Sequence, residues 1–337
     1  MNRHHWLRLG VYLFFAALMM LTIWYASAEL SSIKTGPLAN FHVTIFGFTL
    51  TYASLLERVF PLIAIVAAVG CDYFLDRKKG SSFAKVLDDV STRNDLITAL
   101  FANVPILVFA LTVIFTFGLI VEFDKLAGSF IPHDLNLFDK SVAAFGFAAT
   151  AVIFFLVMTF FDYWRHRLQH TQAFFTLHRF HHSATKLTGF SAYRSHPAEN
   201  IIHPFFVSLP MAMMGAPADF LLVYSSLILF HGLVVHGDNG VDWGWFGRYV
   251  ICDPRNHRVH HSSEARHFNK NLCTITPIWD KLFGTYCYEE EPFDLGVKGS
   301  EHYSTKNFFH VIVIDLKEFI RETLKKFESS YSERPGV

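Results

Sequence analysis

Apolar stretches of roughly bilayer length constrain the fold of this 337-residue chain more than any other feature. A membrane-spanning helix needs about 20 mostly apolar residues to cross a hydrocarbon core about 30 Å thick. Hydrophobic residues make up 52% of the chain and charged residues 17%, below the about 25% of a typical soluble domain. Four stretches approach the required length and are predicted to span a membrane: residues 9–28, 60–75, 97–121 and 142–161.

Two further apolar regions are less regular. Region 201–235 contains residues that break helices, Pro204, Pro210, Gly215 and Pro217. Because proline ends or kinks a helix, this region is predicted to be a hairpin of two short helices that enters the membrane without a full crossing. Stretch 41–56 is predicted either to span the membrane, to lie at the membrane interface or to extend the second apolar helix. The first stretch has a basic start and ends in Ala26-Ser27-Ala28, so a cleaved secretory signal is an alternative to a span.

The distribution of Lys and Arg predicts the orientation of the spans, because loops rich in these residues stay on the cytoplasmic side. The N-terminus, the 76–96 loop and the segment after residue 161 are basic, whereas the loop after the third span has Lys125 and Lys140 alone. We therefore predict that these three basic segments are cytoplasmic. The membrane would be the inner membrane of a bacterium or the endoplasmic reticulum of a eukaryote.

Charge and cysteine content exclude several other classes of protein. The formal net charge is zero, which gives no reason to expect a nucleic-acid partner. The four cysteines lack CxxC spacing and are predicted to be reduced packing residues: Cys71, Cys252, Cys273 and Cys287. No GxGxxG motif follows a predicted strand, so no bound dinucleotide is expected.

Histidine is concentrated in one part of the chain, with twelve of the nineteen histidines between residues 166 and 261. Eight of them form one HxxxH pair and two HxxHH triplets: His166, His170, His178, His181, His182, His257, His260 and His261. Residues three and four apart share a helix face, so each group is expected to direct its imidazoles at one point. An isolated HxxxH is more often a surface or core pair, but three such groups beside an apolar helix predict a metal site. Eight imidazoles suit two ions better than one.

The spacing alone leaves the metal open, because imidazole binds zinc, copper, iron and nickel. A catalytic zinc ion usually has three protein ligands and a water, and the HExxH motif of zinc proteases is absent from the sequence. Two neighbouring irons in a nitrogen-rich shell can activate O2 toward an unactivated C–H bond. The alternatives are a membrane protein that binds metal or haem without oxygenase activity, and a zinc-dependent membrane hydrolase.

The order HxxxH, HxxHH, a lone His236 and HxxHH resembles the sterol desaturase and fatty acid hydroxylase superfamily of integral membrane di-iron enzymes. Two other segments are similar to family motifs: Arg-Ser-His-Pro-Ala-Glu at 194–199, and Trp-Asp-Lys-Leu-Phe-Gly-Thr-Tyr at 279–286. The resemblance covers residues 161–286. The chain departs from the family pattern at Asn269, where an aspartate is common, and at the additional His267.

The resemblance implies two iron ions, O2 as co-substrate, and hydroxylation or desaturation of a C–H bond of a membrane lipid such as a sterol or fatty acyl chain. Zinc is expected to replace lost iron in purified protein. Nine metal ligands are implied: His166, His170, His178, His181, His182, His236, His257, His260 and His261. Two more candidates follow: His196 lies in a family motif, and His231 lies one position from a ligand place that falls here on Gly232.

Residues near the histidines are predicted to support them. Metal-bound imidazoles usually donate their other N–H to a carboxylate or carbonyl, and Asp162, one helical turn before His166, is the favoured carboxylate. Others in reach along the chain are Glu199, Asp238, Asp253 and Glu264. Asp280 is predicted to anchor a turn instead.

A separate electron donor of ferredoxin, rubredoxin or cytochrome b5 type is predicted, since the sequence shows no reductant-binding motif. Its docking surface is placed near Arg165, Arg167 and Arg179.

The predicted fold class is all-α, a polytopic membrane helical bundle of about four spans plus a broken re-entrant hairpin, with a histidine-rich cytosolic helical cap. Its predicted divisions are a transmembrane region, 1–163, a catalytic cap, 164–300, that includes the hairpin 201–235, and a C-terminal tail, 301–337. The tail is amphipathic over 308–327. It either lies on the membrane surface or packs on the cytosolic part of the protein.

Overall fold

A computed structural model describes most of the chain, including the whole histidine-rich cap apart from a few positions. The described residues are 3–35, 42–45, 48–51, 59–75, 82–87, 90–103, 136–202, 204–237, 240–299, 302–306 and 308–332. The predictions made for Asp238 and for residues 104–121 of the third span lie outside this part of the chain.

Helices make up nearly all regular structure in the described residues. The α-helices are α1 (Arg3–Thr35), α2 (Val59–Leu75), α3 (Val90–Asn103), α4 (Leu137–Phe145), α5 (Phe147–Gln169), α6 (Phe175–His182), α7 (Leu209–Met214), α8 (Ala218–Val235), α9 (Trp245–Tyr249), α10 (Pro254–His260), α11 (Ile278–Leu282), α12 (His302–Thr305) and α13 (Phe308–Ser332). Shorter 3-10 turns occupy Ser82–Leu87, Gly189–Tyr193, Pro197–Ile201 and Ala265–His267, and a π-helical turn occupies Pro204–Ser208.

The all-α prediction is confirmed in its main part, because helices dominate the described residues, and one pair of short strands is added to it. Strands β1 (His42–Ile45) and β2 (Phe48–Thr51) pair as an antiparallel hairpin inside the apolar stretch 41–56, whose structure the sequence left undecided. Threonines and β-branched residues at these positions favour strands. The described part of this stretch is therefore neither a span nor an extension of α2.

Two of the described helices are long and apolar enough to cross a membrane by length and composition: the segment His5–Ala26 of α1, and α5. They overlap the predicted first and fourth spans, 9–28 and 142–161, but the fourth prediction also includes the break between α4 and α5 at Gly146. The apolar helices Phe60–Leu75 and Val223–Val235 are shorter, and the total of four spans plus a re-entrant hairpin stays a prediction. Helix α3, which overlaps the start of the predicted third span, differs from these apolar helices because it carries the buried polar residues Asn94 and Asp95.

Helices α1, α2 and α8 form the larger apolar core. Small residues allow α1 and α2 to approach closely, since a Cβ at Gly70 would lie 2.5 Å from the ring of Phe15. A second cluster joins α4, α5 and α8 through Phe138, Phe154, Met158 and Tyr224. Helix α8 thus packs against both clusters, and its C-terminal end is fixed beside that of α5.

A fully buried arginine ties the cap together. Arg194 forms an ion pair of 2.7 Å with Asp95 and donates to the carbonyl oxygens of Ser91 and Phe180. Burial of this charge is tolerated because the carboxylate and the carbonyls satisfy the guanidinium. The contacts link α3, α6 and the segment that follows α6.

The C-terminal helix α13 packs on α6, which agrees with the second of the two predictions for the tail. Phe308 and Val311 are buried with Phe180, while Phe309 and Leu324 are exposed. One face of α13 is therefore used inside the protein and an apolar stripe remains on the other.

Candidate metal centre

Four helix ends bring the predicted ligands together. His166 belongs to α5 and His170 follows it, the first triplet lies on α6, and His236 caps α8. The second triplet lies on α10, whose start is well defined: Asp253 is the N-cap and accepts from the Asn256 N–H at 2.8 Å, and Pro254 follows. Each triplet is therefore placed by helix packing and not by a loop.

The nine histidines of the predicted ligand set form two adjacent groups, and the candidate ligand atoms within each lie no more than 4.8 Å apart. The first histidine group contains His166, His170, His178, His182 and His260. The second histidine group contains His181, His236, His257 and His261. Eight of the nine histidines are buried and the ninth, His170, is partly buried.

Each triplet is divided between the two groups, which corrects the expectation that a triplet aims at one point. In α6, His178 and His182 enter the first group and His181 the second; in α10, His257 and His261 enter the second group and His260 the first. Residues at i and i+4 are about 40° apart around a helix and i+3 lies about 60° the other way. The i+3 histidine therefore points to the neighbouring group.

In the first histidine group, two imidazoles face each other with unprotonated nitrogens. His166 donates its Nδ1–H to the carbonyl oxygen of Leu272 at 2.6 Å, and His178 donates its Nδ1–H to Glu199 at 2.7 Å. A neutral imidazole has one N–H, so both Nε2 atoms carry lone pairs. These two atoms are 3.1 Å apart, too close for two lone pairs unless a cation lies between them.

The second histidine group shows the same arrangement. His181 donates from Nδ1 to the carbonyl oxygen of Arg194 at 2.9 Å, and His236 donates from Nδ1 to that of Gly232 at 2.6 Å. Their unprotonated Nε2 atoms are 3.4 Å apart, and the Nε2 of His257 is 2.9 Å from that of His236. Three imidazoles of this group therefore converge on one place.

These distances fit metal coordination. Two nitrogens about 2.1 Å from one ion, at an angle of about 90° to 110°, lie about 3.0 to 3.4 Å apart. In addition, the buried Nε2 of His260 has no hydrogen-bond partner among the described residues, although its Nδ1 donates to the Lys270 carbonyl oxygen at 2.9 Å. Buried polar atoms are rarely left unsatisfied, so this nitrogen is well suited to a cation.

The imidazoles are neutral at pH 7, as metal ligation requires. Burial, and after it the nearby imidazoles, holds the pKa of His178, His181 and His182 well below its usual value. Burial lowers the pKa of His236 and of His260 to about 4. A buried cluster of this size would repel added protons strongly, which favours the uncharged, ligating form.

One short segment orients three of the five rings in the first histidine group. Asn269 hydrogen-bonds His170 through its side chain, Lys270 accepts from His260, and Leu272 accepts from His166. The segment is anchored by Asp280, whose carboxylate accepts the backbone N–H groups of Leu272 at 2.8 Å and Cys273 at 2.9 Å. Asp280 thus anchors a turn, as the sequence predicted, and that turn supports the candidate ligands.

Glu199, and not Asp162, is the carboxylate that contacts a candidate ligand. Its Oε2 accepts from His178 and from the Gln169 side chain at 2.6 Å, and its Oε1 accepts from the His196 N–H. Asp162 instead accepts from Arg165 at 2.6 Å and from Thr274. The sequence favoured Asp162 as the carboxylate partner because it lies one turn before His166 on α5. Glu199 contacts His178 of α6 only through the tertiary fold.

The two remaining ligand candidates lie outside both groups, because each has both ring nitrogens engaged elsewhere. His196 donates from Nε2 to the carbonyl oxygen of Ile312 and accepts at Nδ1 from the Ala198 N–H. His231 donates from Nε2 to the carbonyl oxygen of Thr274 and accepts at Nδ1 from the Tyr12 hydroxyl. Both are satisfied buried histidines in this structure.

Two of the three arginines predicted to receive an electron donor are engaged inside the protein. Arg165 pairs with Asp162, and Arg179 pairs with Asp315 at 2.9 Å and with Glu318. The side chains of both arginines are less than one fifth exposed. The third predicted docking residue is Arg167. It donates to the Tyr163 hydroxyl at 2.7 Å and lies over the Trp164 ring.

A cavity of about 280 Å³ adjoins both histidine groups. His166 and His178 of the first group line it together with His181, His236 and His257 of the second. Its other walls combine apolar side chains from α8 with polar side chains from α5. A small molecule in this cavity would contact both groups.

Fold and site together define a class, namely helical proteins that hold buried histidines in two adjacent groups beside long apolar helices. Residues 151–285 match the family model for fatty acid hydroxylases. This match and the similarity to curated members of the superfamily confirm the resemblance to the sterol desaturase and fatty acid hydroxylase superfamily seen in the sequence.

Curated relatives include enzymes that oxidise lipids. Ornithine lipid hydroxylase OlsE of Rhizobium tropici is 28% identical over 155 residues, covering 45% of this chain and 46% of its own length. Alkylglycerol monooxygenase of Homo sapiens is 28% identical over 144 residues (42% and 32%). Methylsterol monooxygenase 1-3 of Arabidopsis thaliana is 26% identical over 141 residues (41% and 47%).

The chain spans less than half the length of each of these relatives. No solved structure matches the chain. The membrane-family relatives and the two apolar helices together indicate association with a membrane.

Proposed function

We propose that this protein is an O2-dependent di-iron oxygenase that hydroxylates, or desaturates, a C–H bond of a membrane lipid. The observation that carries the proposal is the pair of adjacent histidine groups, each with unprotonated Nε2 atoms 3.1 to 3.4 Å apart and both lining one cavity. The nine imidazoles of the two groups are the proposed ligands. The named relatives are lipid hydroxylases and monooxygenases, which supports a lipid as the substrate.

Iron would supply O2 activation when bound, and the protein supplies the surroundings for it. In hydroxylation, one oxygen atom is inserted into the C–H bond, and the other leaves as water with two protons and two electrons. In desaturation, two hydrogens leave the substrate and O2 becomes two waters, with the same two electrons and two protons supplied. The all-nitrogen ligand set suits redox iron. The resemblance to the family, and not the geometry, supports iron over zinc.

The chain's own residues orient the ligands and limit access of water. The carbonyl oxygens of Leu272, Arg194 and Gly232 fix which nitrogen of each partner imidazole is protonated. Ile228, Leu229 and Val235 give the cavity an apolar wall on α8. Such a wall excludes water and suppresses side reactions during oxidation.

The protein is proposed to be integral to the membrane with its cap on the cytoplasmic side, as the Lys and Arg distribution predicts. Electrons would come from a separate carrier of ferredoxin, rubredoxin or cytochrome b5 type. Because Arg165 and Arg179 are paired internally, we expect Arg167 to mark the docking surface. Arg167→Glu should slow electron transfer while bound iron stays constant, and unchanged kinetics would contradict this surface.

Lipid analysis of cells that express the chain, grown under 18O2, tests the proposed function. Wild-type protein should produce a lipid that gains one labelled oxygen or loses two hydrogens, and His260→Ala protein should not. Metal analysis of anaerobically purified protein should find two iron ions per chain. A full complement of zinc after anaerobic purification, with no O2-dependent change in any lipid, would refute the proposal.

A further inference from the structure

The RSHPAE segment orients one ring in each histidine group. The carbonyl oxygen of Arg194 accepts from His181 of the second group, and Glu199 accepts from His178 of the first. His196 lies between these two contacts in the chain and belongs to neither group. It is nevertheless 1% exposed and has a hydrogen-bond partner at each ring nitrogen.

His196 joins this segment to the C-terminal helix. Burial lowers the pKa of His196, so its ring is neutral at pH 7 and carries one N–H. Nδ1 accepts from the Ala198 N–H at 3.1 Å, which places the proton on Nε2, and Nε2 donates to the carbonyl oxygen of Ile312 in α13 at 3.1 Å. The backbone N–H of His196 donates to Glu199 at 2.8 Å. His196 therefore connects α13 to the carboxylate that holds His178.

Helix α13 is itself held against α6 close to its contact with His196. Arg179 of α6 donates to the Asp315 carboxylate at 2.9 Å and to the Tyr303 hydroxyl at 2.6 Å, and this hydroxyl donates to Asp315 at 2.6 Å. Asp315 is fully buried and lies about one turn after Ile312. Because charge-assisted hydrogen bonds are strong, the carbonyl oxygen that accepts from His196 belongs to a well-anchored part of α13.

We propose that His196 is a positioning residue, through which α13 holds Glu199 and thereby the imidazole of His178 in the first histidine group. Outer hydrogen bonds fix the orientation of a metal-bound imidazole and raise its basicity, and Glu199 makes this bond to His178. Loss of the contact between His196 and α13 would leave the carboxylate, and with it the ring, less well oriented. Metal in the first group should then be released faster.

The second histidine group should not respond, because its contact with the same segment is anchored separately. His181 donates to the carbonyl oxygen of Arg194 at 2.9 Å. The guanidinium of Arg194 donates to Asp95 at 2.7 Å and to the carbonyl oxygen of Ser91 at 2.8 Å, and both partners lie on α3. The inference rests on the two groups as metal sites, which is part of the proposed function, and on neither the identity of the metal nor the reaction.

Zinc release from protein loaded at both groups, measured in excess chelator, tests this role with two substitutions that separate the two ring contacts. His196→Asn keeps an acceptor for the Ala198 N–H but is too short to reach Ile312, whereas His196→Gln can place an N–H near the position of Nε2. His196→Asn should release zinc from the first group about fivefold faster than wild type, the effect of about one hydrogen bond, and His196→Gln should stay within about twofold. Release from the second group should not change. The two phases are assigned with His260→Ala and His261→Ala.

Asp72→Ala is the matched control for a general loss of stability. Asp72 is buried, belongs to neither histidine group, and accepts from the backbone N–H of Ser82 at 2.6 Å and from its hydroxyl at 2.9 Å. Its removal should lower the unfolding temperature, measured for every variant, and should leave both zinc release rates unchanged.

Three results would overturn the role of His196: wild-type release rates in His196→Asn, faster release from both groups alike, or equally fast release from the first group in His196→Gln. Failure of His196→Asn to fold would also overturn it, because His196 would then support the whole fold and not one group. Absence of zinc binding by the wild-type protein would refute this role and the proposed function together. A selective effect on the first group without any O2-dependent lipid product would support the role of His196 and refute the proposed function.

Discussion

The two histidine groups differ in how well the protein supports them. In the first, four rings have a hydrogen-bond partner beyond the group: His166, His170, His178 and His260. In the second, two rings have such partners, His181 and His236. The buried Nδ1 atoms of His257 and His261 have none among the described residues. Since outer contacts fix ring orientation and ligand basicity, we expect the first group to bind its metal more tightly.

Removal of one ligand from each group should have the largest effect. His260→Ala disrupts the first group and His261→Ala the second, so each variant should retain about half of the bound metal and lose turnover entirely. Oxidation at both groups is expected to need both ions. Metal analysis after anaerobic purification, with lipid oxidation assays, measures this.

His310→Ala is the control for these substitutions, because His310 is exposed on α13 and belongs to neither histidine group. It should retain metal and activity. Full metal and full turnover in either ligand variant would show that the assigned groups are not the site.

Loss of the hydrogen bonds that hold the imidazoles of the first histidine group from outside should weaken metal binding in that group and not in the second. Glu199→Gln removes the carboxylate beside His178, and Asp280→Asn loosens the turn that supports His166 and His260. Affinity for one of the two ions should fall about 10- to 100-fold, as measured by competition with a calibrated chelator. Glu264→Gln, at a surface ion pair, serves as the control and should leave both affinities unchanged.

Release of metal from the wild-type protein should proceed in two phases, with the second group faster. Each missing outer hydrogen bond is worth about 1 kcal/mol, so the rates should differ about tenfold or more. The phases are assigned with His260→Ala, which retains the second group, and His261→Ala, which retains the first. Equal rates, or slower release from the second group, would contradict the expectation that the first group binds its metal more tightly.

Acid should destabilise the metal-free protein through both groups alike. Burial lowers the folded-state pKa of His236 and His260 to about 4, and unfolded histidine titrates near about 6.5. Between these values the unfolded state binds more protons, so stability falls as pH decreases. Each of these two histidines should lower the free energy of unfolding by about 1.4 kcal/mol per pH unit, from its unfolded pKa down to its folded pKa of about 4.

Thermal unfolding from pH 7 to pH 5 measures this effect, with metal-loaded protein as the control. Bound metal keeps the imidazoles unprotonated, so the loaded protein should begin to lose stability at a lower pH. Identical pH profiles for the two forms would contradict the assignment of these rings as ligands.

The sequence by itself determined the class of site. HxxxH and HxxHH spacing places imidazoles on shared helix faces, and the RSHPAE and WDKLFGTY segments marked the family. The nine histidines of the predicted set are the nine that the structure gathers. Local rules suffice here because these spacings act within single helices.

Tertiary structure decided how those residues are divided and supported. The split of each triplet, the contact of Glu199 with His178, and the role of the carbonyl oxygens of Lys270 and Leu272 depend on residues far apart in the chain. A backbone carbonyl leaves no mark on residue type, and Asp162 and Glu199 carry the same functional group. Only the packing of α5, α6 and α10 against one another decides which carboxylate and which carbonyl reach an imidazole, because hydrogen bonds form over about 3 Å whatever the separation in sequence.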